Sequence, residues 1–233
     1  MKTISLGVPE LDKGLGGGIP HPSLISIEGE HGSGKTVISQ QIVYHMLKSG
    51  IKSIVITTEN TVKEYLKMMK SIKLDATSFF ITGRLKIYSL HVKGGMWSKY
   101  LSPLFLHAIS SFLAFKNTSY KCIVIDDLSS LSIDVTRDSF LTFITRMKNL
   151  VSDGRTIILT FHPKFLEDES IRILKASSDV YFVMKNAYIG NMQVKVLQIV
   201  KLWGSFGERK AAINLEINPS LGLRVLPIGE VSI

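Results

Sequence analysis

One eight-residue segment, residues 29–36, constrains the fold of this chain more than any other feature of its sequence. It matches the phosphate-binding loop pattern G-x-x-x-x-G-K-[ST], which connects a buried strand to a helix. Apolar residues at 24–27 predict the strand. Residues 37–48 carry apolar side chains at helical spacing, and Gly50 is well placed to end that helix. The segment therefore predicts an α/β fold in which the loop follows a core strand.

The residue types in this loop suit a nucleoside triphosphate. Glycines allow the backbone to curl until successive N–H groups point at phosphate oxygens, and the helix start adds the positive end of its dipole. Lys35 is predicted to reach the β- and γ-phosphates and to take part in catalysis, and the Thr36 hydroxyl to bind Mg²⁺. ATP and Mg²⁺ are therefore the expected cofactors. The predicted nucleotide contacts here are Gly29, Glu30, His31, Gly32, Ser33, Gly34, Lys35, Thr36 and Val37.

Composition limits the class of protein. The chain has 233 residues, of which 45% are hydrophobic and 20% charged, as expected for a folded soluble protein. Its single cysteine, Cys122, excludes an internal disulfide and is expected to be a small core residue of a strand. No signal peptide is apparent. The longest uncharged stretch, residues 100–115, is too short to span a bilayer and predicts a largely buried helix, with a partner-facing or membrane-adjacent surface as the alternative.

The formal net charge is +9, which would attract nucleic acid, acidic proteins or anionic lipid headgroups. The lysines are spread along the chain and do not form a run of like charges. A solvated, mildly basic surface is therefore the simpler interpretation.

Strands and helices alternate along most of the chain, which predicts a parallel sheet with helices on both faces. Short turns after residue 178 instead favour antiparallel strands at the sheet edge. We expect a single domain over residues 1–233. The predicted strands are residues 24–27, 53–58, 85–90, 121–127, 156–161, 180–184, 193–202, 212–217 and 223–227, with a turn at 186–190. The predicted helices are 37–48, 62–70, 101–115 and 138–151, after a short lead-in helix and loop at 5–18.

A phosphate-binding loop needs an acid to hold Mg²⁺, and this acid is expected at the end of a neighbouring apolar strand. Asp126 is preferred over Asp127, because successive side chains of a strand point in opposite directions. Glu59 follows another strand on the ligand side of the sheet and is the candidate catalytic base, with a role near a helix N-terminus as its structural alternative. Thr160 and His162 are candidates to sense the γ-phosphate, and a structural role for His162 is equally open.

Several segments resemble the RecA/KaiC family of ring-forming ATPases. They are S-L-G-V-P-E-L-D at residues 5–12, G-G-G-I-P at 16–20, the phosphate-binding loop, T-E-N at 58–60 and K-L-W-G-S at 201–205. The resemblance implies a RecA-like core with a mainly parallel sheet flanked by helices and C-terminal antiparallel edge strands. It also implies a ring, expected to be a hexamer, with ATP near subunit boundaries. Glu59 stands where the family has its catalytic glutamate, and Lys201 where a lysine reaches the ATP of the neighbouring subunit.

Within this family the chain is most similar to single-domain ATP-binding proteins of the archaeal flagellum (archaellum) motor. This resemblance implies a cytoplasmic protein, held at the cytoplasmic face of the membrane through its partners, the motor ATPase FlaI and membrane-attached scaffold proteins. Bound ATP would be regulatory, with weak or no hydrolysis. Relatives phosphorylate their own side chains, which makes Thr57 and Thr58 candidate acceptors, and the family suggests Leu221 and Gly222 as adenine contacts.

One residue departs from the family pattern. The family segment K-L-R-G-S has an arginine where this chain has Trp203, and such an arginine can be worth about 10³–10⁵ in rate. The absence of this arginine favours stable ATP binding over fast hydrolysis, unless Arg209 or Lys210 takes the place of the arginine. The alternatives are a RecA/RadB-like DNA recombinase relative and another KaiC-like signalling ATPase. Nucleic acid is not an expected partner, because the predicted loop at residues 165–170 contains the consecutive acids Glu167, Asp168 and Glu169.

Overall fold

The computed structural model describes residues 2–90, 101–115, 119–189 and 192–226. Its helices are α1 (Pro9–Gly14), α2 (Lys35–Lys48), α3 (Val62–Ser71), α4 (Thr77–Ile81), α5 (Leu101–Phe115), α6 (Arg137–Ser152) and α7 (Asp168–Ser177). Its strands are β1 (Lys2–Ile4), β2 (Ile19–His21), β3 (Leu24–Gly29), β4 (Lys52–Thr57), β5 (Leu85–Ser89), β6 (Tyr120–Asp126), β7 (Thr156–Phe161), β8 (Val180–Ile189), β9 (Met192–Leu202), β10 (Ala212–Asn218) and β11 (Gly222–Val225).

Within the described ranges, nine strands form one sheet in the order β11-β10-β9-β8-β3-β7-β6-β4-β5. The six strands from β8 to β5 run parallel, whereas β9, β10 and β11 continue the β8 edge as antiparallel neighbours. This topology confirms the α/β fold with a mainly parallel sheet and C-terminal antiparallel strands. Because β3 lies between β7 and β8, the loop that follows it opens near the middle of the sheet.

The central strands are apolar on both sides, so helices cover both faces of the sheet. Val55 and Val124 belong to one core, which includes the buried side chains of α2 and α3. Ile54 and Ile123 belong to the other core, together with side chains of α5 and α6. Cys122 is fully buried, and burial raises the pKa of its thiol to about 12. Its expected role as a small core residue is thus confirmed.

Helix α5 has the predicted bounds, although residue 100 lies outside the described ranges. It buries Leu106, Ile109 and Leu113 in a core, whereas Leu104 on another face is 63% exposed. The prediction of a largely buried helix is therefore only half correct, because α5 lies at the surface with one face inward. None of the described helices is long and apolar enough to cross a membrane.

The structure corrects the predictions for two segments. Strand β8 continues to Ile189 through most of the turn predicted at 186–190, because Ala187 and Tyr188 pair with β9 opposite Val194 and Gln193. Residue 190 lies outside the described ranges. The loop predicted at residues 165–170 contains the end of a short 3₁₀ turn and the start of α7.

The acids within residues 165–170 have a local explanation, because negative side chains near a helix N-terminus interact favourably with the helix dipole. Glu167 is the N-cap residue of α7, and Asp168 and Glu169 form its first turn. Five elements were not predicted or had no assigned bounds: α1, α4, α7, β1 and β2. The last predicted strand ends at Val225, and residue 227 lies outside the described ranges.

Candidate nucleotide-binding site

The predicted phosphate-binding loop joins β3 to α2 at the carboxyl end of the central strands. Gly34 is the N-cap residue of α2 with a φ of +100°, a left-handed conformation that glycine adopts without steric cost. At Gly29 a Cβ atom would lie 2.5 Å from Ser33 Oγ and 2.8 Å from the carbonyl oxygen of Met184. The loop is thus too tightly turned at these positions for larger residues.

Lys35 folds over the loop. Its side chain is only 7% exposed, and Nζ donates a hydrogen bond to the carbonyl oxygen of Glu30 at 3.1 Å. A phosphate group in the loop would offer this ammonium a charged acceptor in place of a neutral one, so that both partners of the hydrogen bond would be ionised. The position of Lys35 fits its predicted role.

The structure brings together two residues predicted from distant parts of the sequence. Thr36 Oγ1 donates a hydrogen bond to Asp126 Oδ1 at 3.2 Å. The hydroxyl of Thr160 donates to the same oxygen at 2.5 Å. The other carboxylate oxygen, Asp126 Oδ2, is buried without a hydrogen-bond partner among the described residues. An unpartnered buried carboxylate oxygen beside a threonine hydroxyl fits a Mg²⁺ ion, which takes few protein oxygens and keeps several waters.

Burial controls the charge of this carboxyl. It raises the pKa of Asp126 to about 6, and the negative charges of Asp127 and Glu59 act in the same direction. The hydrogen bonds from Thr160 and Thr36 oppose the shift. A divalent cation would reverse the balance, because it stabilises the ionised form.

Asp127 has different partners. Its Oδ1 accepts a hydrogen bond from the backbone N–H of Ser129 at 2.5 Å, and its backbone N–H donates to Thr58 Oγ1 at 3.1 Å. Burial raises its pKa, while the hydrogen bonds from Ser129 lower it. Asp126, and not Asp127, is hydrogen-bonded to the loop threonine, in agreement with the preference derived from strand geometry.

Glu59 directly follows Thr58, which is hydrogen-bonded to the end of β6. The Thr58 N–H donates a hydrogen bond to the carbonyl oxygen of Asp126 at 2.9 Å. Surrounding protein atoms and the charge of Asp127 raise the pKa of Glu59, whereas Lys35 and His31 lower it. The loop lysine and the acid pair therefore both contribute to the electrostatic environment of Glu59. A raised pKa makes a carboxylate a stronger base, which suits the predicted role.

The hydroxyls of the two candidate phosphate acceptors, Thr57 and Thr58, already form hydrogen bonds within the protein. Thr57 is fully buried, and its Oγ1 accepts a hydrogen bond from the backbone N–H of Asn60 at 3.2 Å. Thr58 is also buried, and its hydroxyl donates to the carbonyl oxygen of Asp127 at 3.0 Å. In this conformation neither hydroxyl is free to attack a phosphate.

A clasp, formed by Glu30, His31, His162, Lys164 and Phe165, joins the phosphate-binding loop to the turn after β7. Lys164 Nζ forms an ion pair with Glu30 Oε1 at 2.7 Å. The ring centroids of His31 and His162 are 4.7 Å apart, and the Phe165 ring lies 4.8 Å from that of His162. His162 Nδ1 also accepts the backbone N–H of Lys164 at 3.1 Å. His162 therefore lies at the loop as predicted and also stabilises its own turn.

Sequence reasoning missed Lys195. Its Nζ donates hydrogen bonds to the carbonyl oxygen of Gly32 and to Asn186 Oδ1, each at 2.7 Å, and burial lowers its pKa. Lysine residues are common in the sequence, so only the register that pairs Lys195 with Asn186 reveals its position. The paired strands β8 and β9 therefore support the loop.

A cleft of about 320 Å³ lies beside the loop. Leu221 and Gly222, the suggested adenine contacts, are at the turn between β10 and β11, where a Cβ on Gly222 would lie 2.9 Å from the carbonyl oxygen of Ile72. They do not line this cleft. Its lining includes Glu28, Gly29, Glu30, Ser33, Pro163, Val183, Met184, Lys185 and Asn186.

Lys201 lies away from the loop of its own chain. It pairs with Tyr181 near the start of β8, whereas the loop follows the opposite end of β3. Its Nζ donates to the carbonyl oxygen of Ala176 at 3.1 Å and lies 4.9 Å from the centre of the Trp203 ring. Trp203 is 65% exposed, and Arg209 Nη1 donates to the carbonyl oxygen of Leu202 at 2.5 Å. A contact of Lys201 with ATP would therefore require a neighbouring subunit.

Comparison with known proteins decides the family. Residues 4–230 match the family model of the KaiC ATPase. The archaeal flagellar ATP-binding protein FlaH of Sulfolobus acidocaldarius is 40% identical over 225 residues, which is 97% of each chain. The chain belongs to the KaiC ATPase family, among the FlaH proteins. FlaH of Methanocaldococcus jannaschii is 28% identical over 95% of this chain and 94% of its own.

Solved structures agree with this assignment. The crystal structure of the flagellar accessory protein FlaH from M. jannaschii matches with a TM-score of 0.82 at 26% identity, covering 97% of this chain and 98% of that one. A KaiC-like protein from Pyrococcus horikoshii has the same fold, with a TM-score of 0.74 at 22% identity. The RecA/KaiC resemblance read from the motifs is thus confirmed, and nucleotide binding follows from membership of an ATPase family that carries this loop.

Proposed function

We propose that this chain is the ATP-binding regulatory component of an archaeal flagellum motor, acting at the cytoplasmic face of the membrane. The names of the FlaH relatives support the association with the archaellum. In this proposal ATP binding controls assembly into a hexameric ring and contact with the motor ATPase FlaI and the membrane scaffold, and hydrolysis is weak or absent. We extend the single-domain organisation to the whole of residues 1–233.

The observation that carries the proposal is a candidate site for phosphate and Mg²⁺ combined with a tryptophan in place of the family arginine. The proximity of Lys35, Thr36 and Asp126 supports a site for a nucleoside triphosphate and Mg²⁺, which would neutralise phosphate charge. Trp203 stands where the family segment has an arginine, and it is exposed beside Lys201. A site that binds ATP but lacks the residue that stabilises the transition-state charge favours a long-lived bound ligand.

The proposal predicts that Mg-ATP converts the chain into a ring. Native mass spectrometry is expected to give the monomer or small oligomers without nucleotide and about six times the mass of one chain with Mg-ATP. Mg-ADP serves as the matched ligand control and should favour the ring less. A mass that does not respond to nucleotide, or a turnover of many ATP molecules per second, would contradict a regulatory role.

Residual hydrolysis provides a test of Glu59. The variant Glu59→Gln retains the size of the side chain but cannot accept a proton, so single-turnover hydrolysis should slow about 10²-fold with ATP affinity nearly unchanged. The variant Glu10→Gln, on α1 and also exposed, is the control and should leave the rate unaltered. If the rate of Glu59→Gln equals that of the parent chain, another group activates the water.

A further inference from the structure

The starting edge of the parallel sheet, opposite the nucleotide site, carries a set of basic residues that we call the basic edge. Strand β4 begins with Lys52, and Lys121 is the second residue of β6. Helix α2 ends at this edge with Lys48. The basic edge comprises Lys2, Lys48, Lys52, Arg84, Lys86 and Lys121.

Contacts show that these cations are neighbours. The carbonyl oxygen of Arg84 accepts the N–H of Ser53, next to Lys52, at 2.9 Å. Arg84 Nη2 donates to the carbonyl oxygen of Leu47, beside Lys48, at 2.6 Å. These two hydrogen bonds connect the starts of β4 and β5 to the end of α2.

The other side of the basic edge is equally close. Lys86 Nζ lies 5.2 Å from the centre of the Tyr120 ring, next to Lys121. On the far side, Lys2 pairs with His21, and His21 Nδ1 is hydrogen-bonded to Thr156 Oγ1 at 2.7 Å. Burial and then the charges of Lys121 and Lys2 lower the pKa of His21, as expected for cations that surround it.

Few acids neutralise the basic edge. None of its six cations forms an ion pair within the described ranges. Two acids at this end of the sheet, Asp75 and Asp179, are paired with Lys70 and Lys148, and a third, the exposed Asp153, adjoins Lys121.

Arg84 also stabilises the C-terminus of α2, where a positive charge favours the helix dipole. Lys121 Nζ also donates a hydrogen bond to the carbonyl oxygen of Asp153 at 3.1 Å, and Lys48 and Lys86 lie beside aromatic rings. Lys2 and Lys52 are exposed and have no such contact within the described ranges, which leaves them available for an external partner.

An exposed apolar residue lies next to these charges. Ile81, the last residue of α4, is 77% exposed and is three positions before Arg84. Phe80 beside it is 36% exposed. Basic residues around an exposed aliphatic side chain are typical of protein segments that lie on membrane surfaces, where the cations face headgroups and the apolar tip enters the boundary with the acyl chains.

We propose that the basic edge, with Ile81, is a docking surface for a bilayer of anionic lipids. Ile81 favours a bilayer over nucleic acid, because an aliphatic side chain gives no stacking platform for bases. The six-residue strands separate this edge from the phosphate-binding loop by about 20 Å, so both surfaces can be occupied together. The chain would then contact the membrane directly, in addition to any contact through partners.

Vesicle flotation with the full chain tests this surface. We expect binding to vesicles of phosphatidylglycerol mixed with phosphatidylcholine, little binding to phosphatidylcholine alone, and loss of binding as salt increases. The double variant Lys2→Glu/Lys52→Glu should reduce binding at least about tenfold, since both lysines are exposed and on the basic edge. Ile81→Ser should weaken binding severalfold without changing the net charge.

The matched control is Lys63→Glu/Lys67→Glu, which changes the net charge equally at two exposed positions on α3. It should retain binding within about twofold, because charges distant from the contact are screened. Equal losses in both double variants would overturn the proposal in favour of net charge alone. Binding to single-stranded DNA but not to vesicles would overturn the proposal and identify the basic edge as a surface for nucleic acid. Binding of a fluorescent ATP analogue, unchanged in all variants, reports folding and separates this proposal from the regulatory one.

Discussion

Replacing Lys35 with alanine is expected to weaken ATP binding by at least about 100-fold, measured by titration calorimetry with Mg-ATP. Lys35 is a nearly buried ammonium over the loop, and its Nζ already donates to a carbonyl oxygen of that loop. Its removal leaves phosphate oxygens without their charged donor in a site partly shielded from water, where an unpaired charge is costly.

The control for this variant is Lys67→Ala, an exposed lysine on α3, which should bind ATP as the parent chain does. The thermal midpoint of Lys35→Ala without nucleotide should stay within a few degrees of the parent, because its one hydrogen bond within the described ranges ends on a carbonyl of a surface loop. An affinity of Lys35→Ala within about tenfold of the parent would refute the assignment of the loop as the nucleotide site.

Substituting Trp203 with arginine is expected to increase ATP turnover of the assembled ring by tenfold or more, towards the roughly 10³-fold that a finger arginine can supply. The prediction depends on the proposed ring, in which residues 201–205 of one subunit reach the ATP of the next. Trp203 is exposed and contacts Lys201, so the exchange leaves both cores intact.

Trp203→Phe is the matched control, because it keeps an aromatic ring at the same position without a charge, and it should leave turnover unchanged. Colorimetric release of phosphate at saturating Mg-ATP measures both variants, with the ring confirmed by its mass. A ring of Trp203→Arg subunits that hydrolyses ATP no faster than the parent would show that the missing arginine is not what limits hydrolysis.

Local patterns suffice to predict the centre of the candidate site. The loop, the strand before it and the helix after it are contiguous in sequence, so spacing alone locates Lys35 and Thr36. Asp126 follows from one further rule, that ligands collect at the carboxyl ends of parallel strands. The hydrogen bond between Thr36 and Asp126, 90 residues apart, agrees with that rule.

The missed features depend on pairing that no local pattern contains. Asn186 favours turns, yet a partner strand keeps β8 extended through it, and the same pairing brings Lys195 to the loop. From the sequence alone, the consecutive acids at 167–169 indicate a solvated loop, whereas in the structure they lie at the start of α7. The sequence makes Thr160 a candidate for contact with the γ-phosphate, but its hydrogen bond to Asp126 depends on the alignment of β7 with β6.

The clasp connects the phosphate-binding loop directly to an exposed turn, the one after β7. Glu30 and Lys164 are partly exposed ends of one ion pair, and Phe165 is 57% exposed beside the two histidine rings. A molecule that touches this turn would therefore contact residues that are themselves bonded to the phosphate-binding loop. A partner bound at this turn would respond to a change in the loop without any rearrangement of the hydrophobic cores, because the turn and the loop are in direct contact.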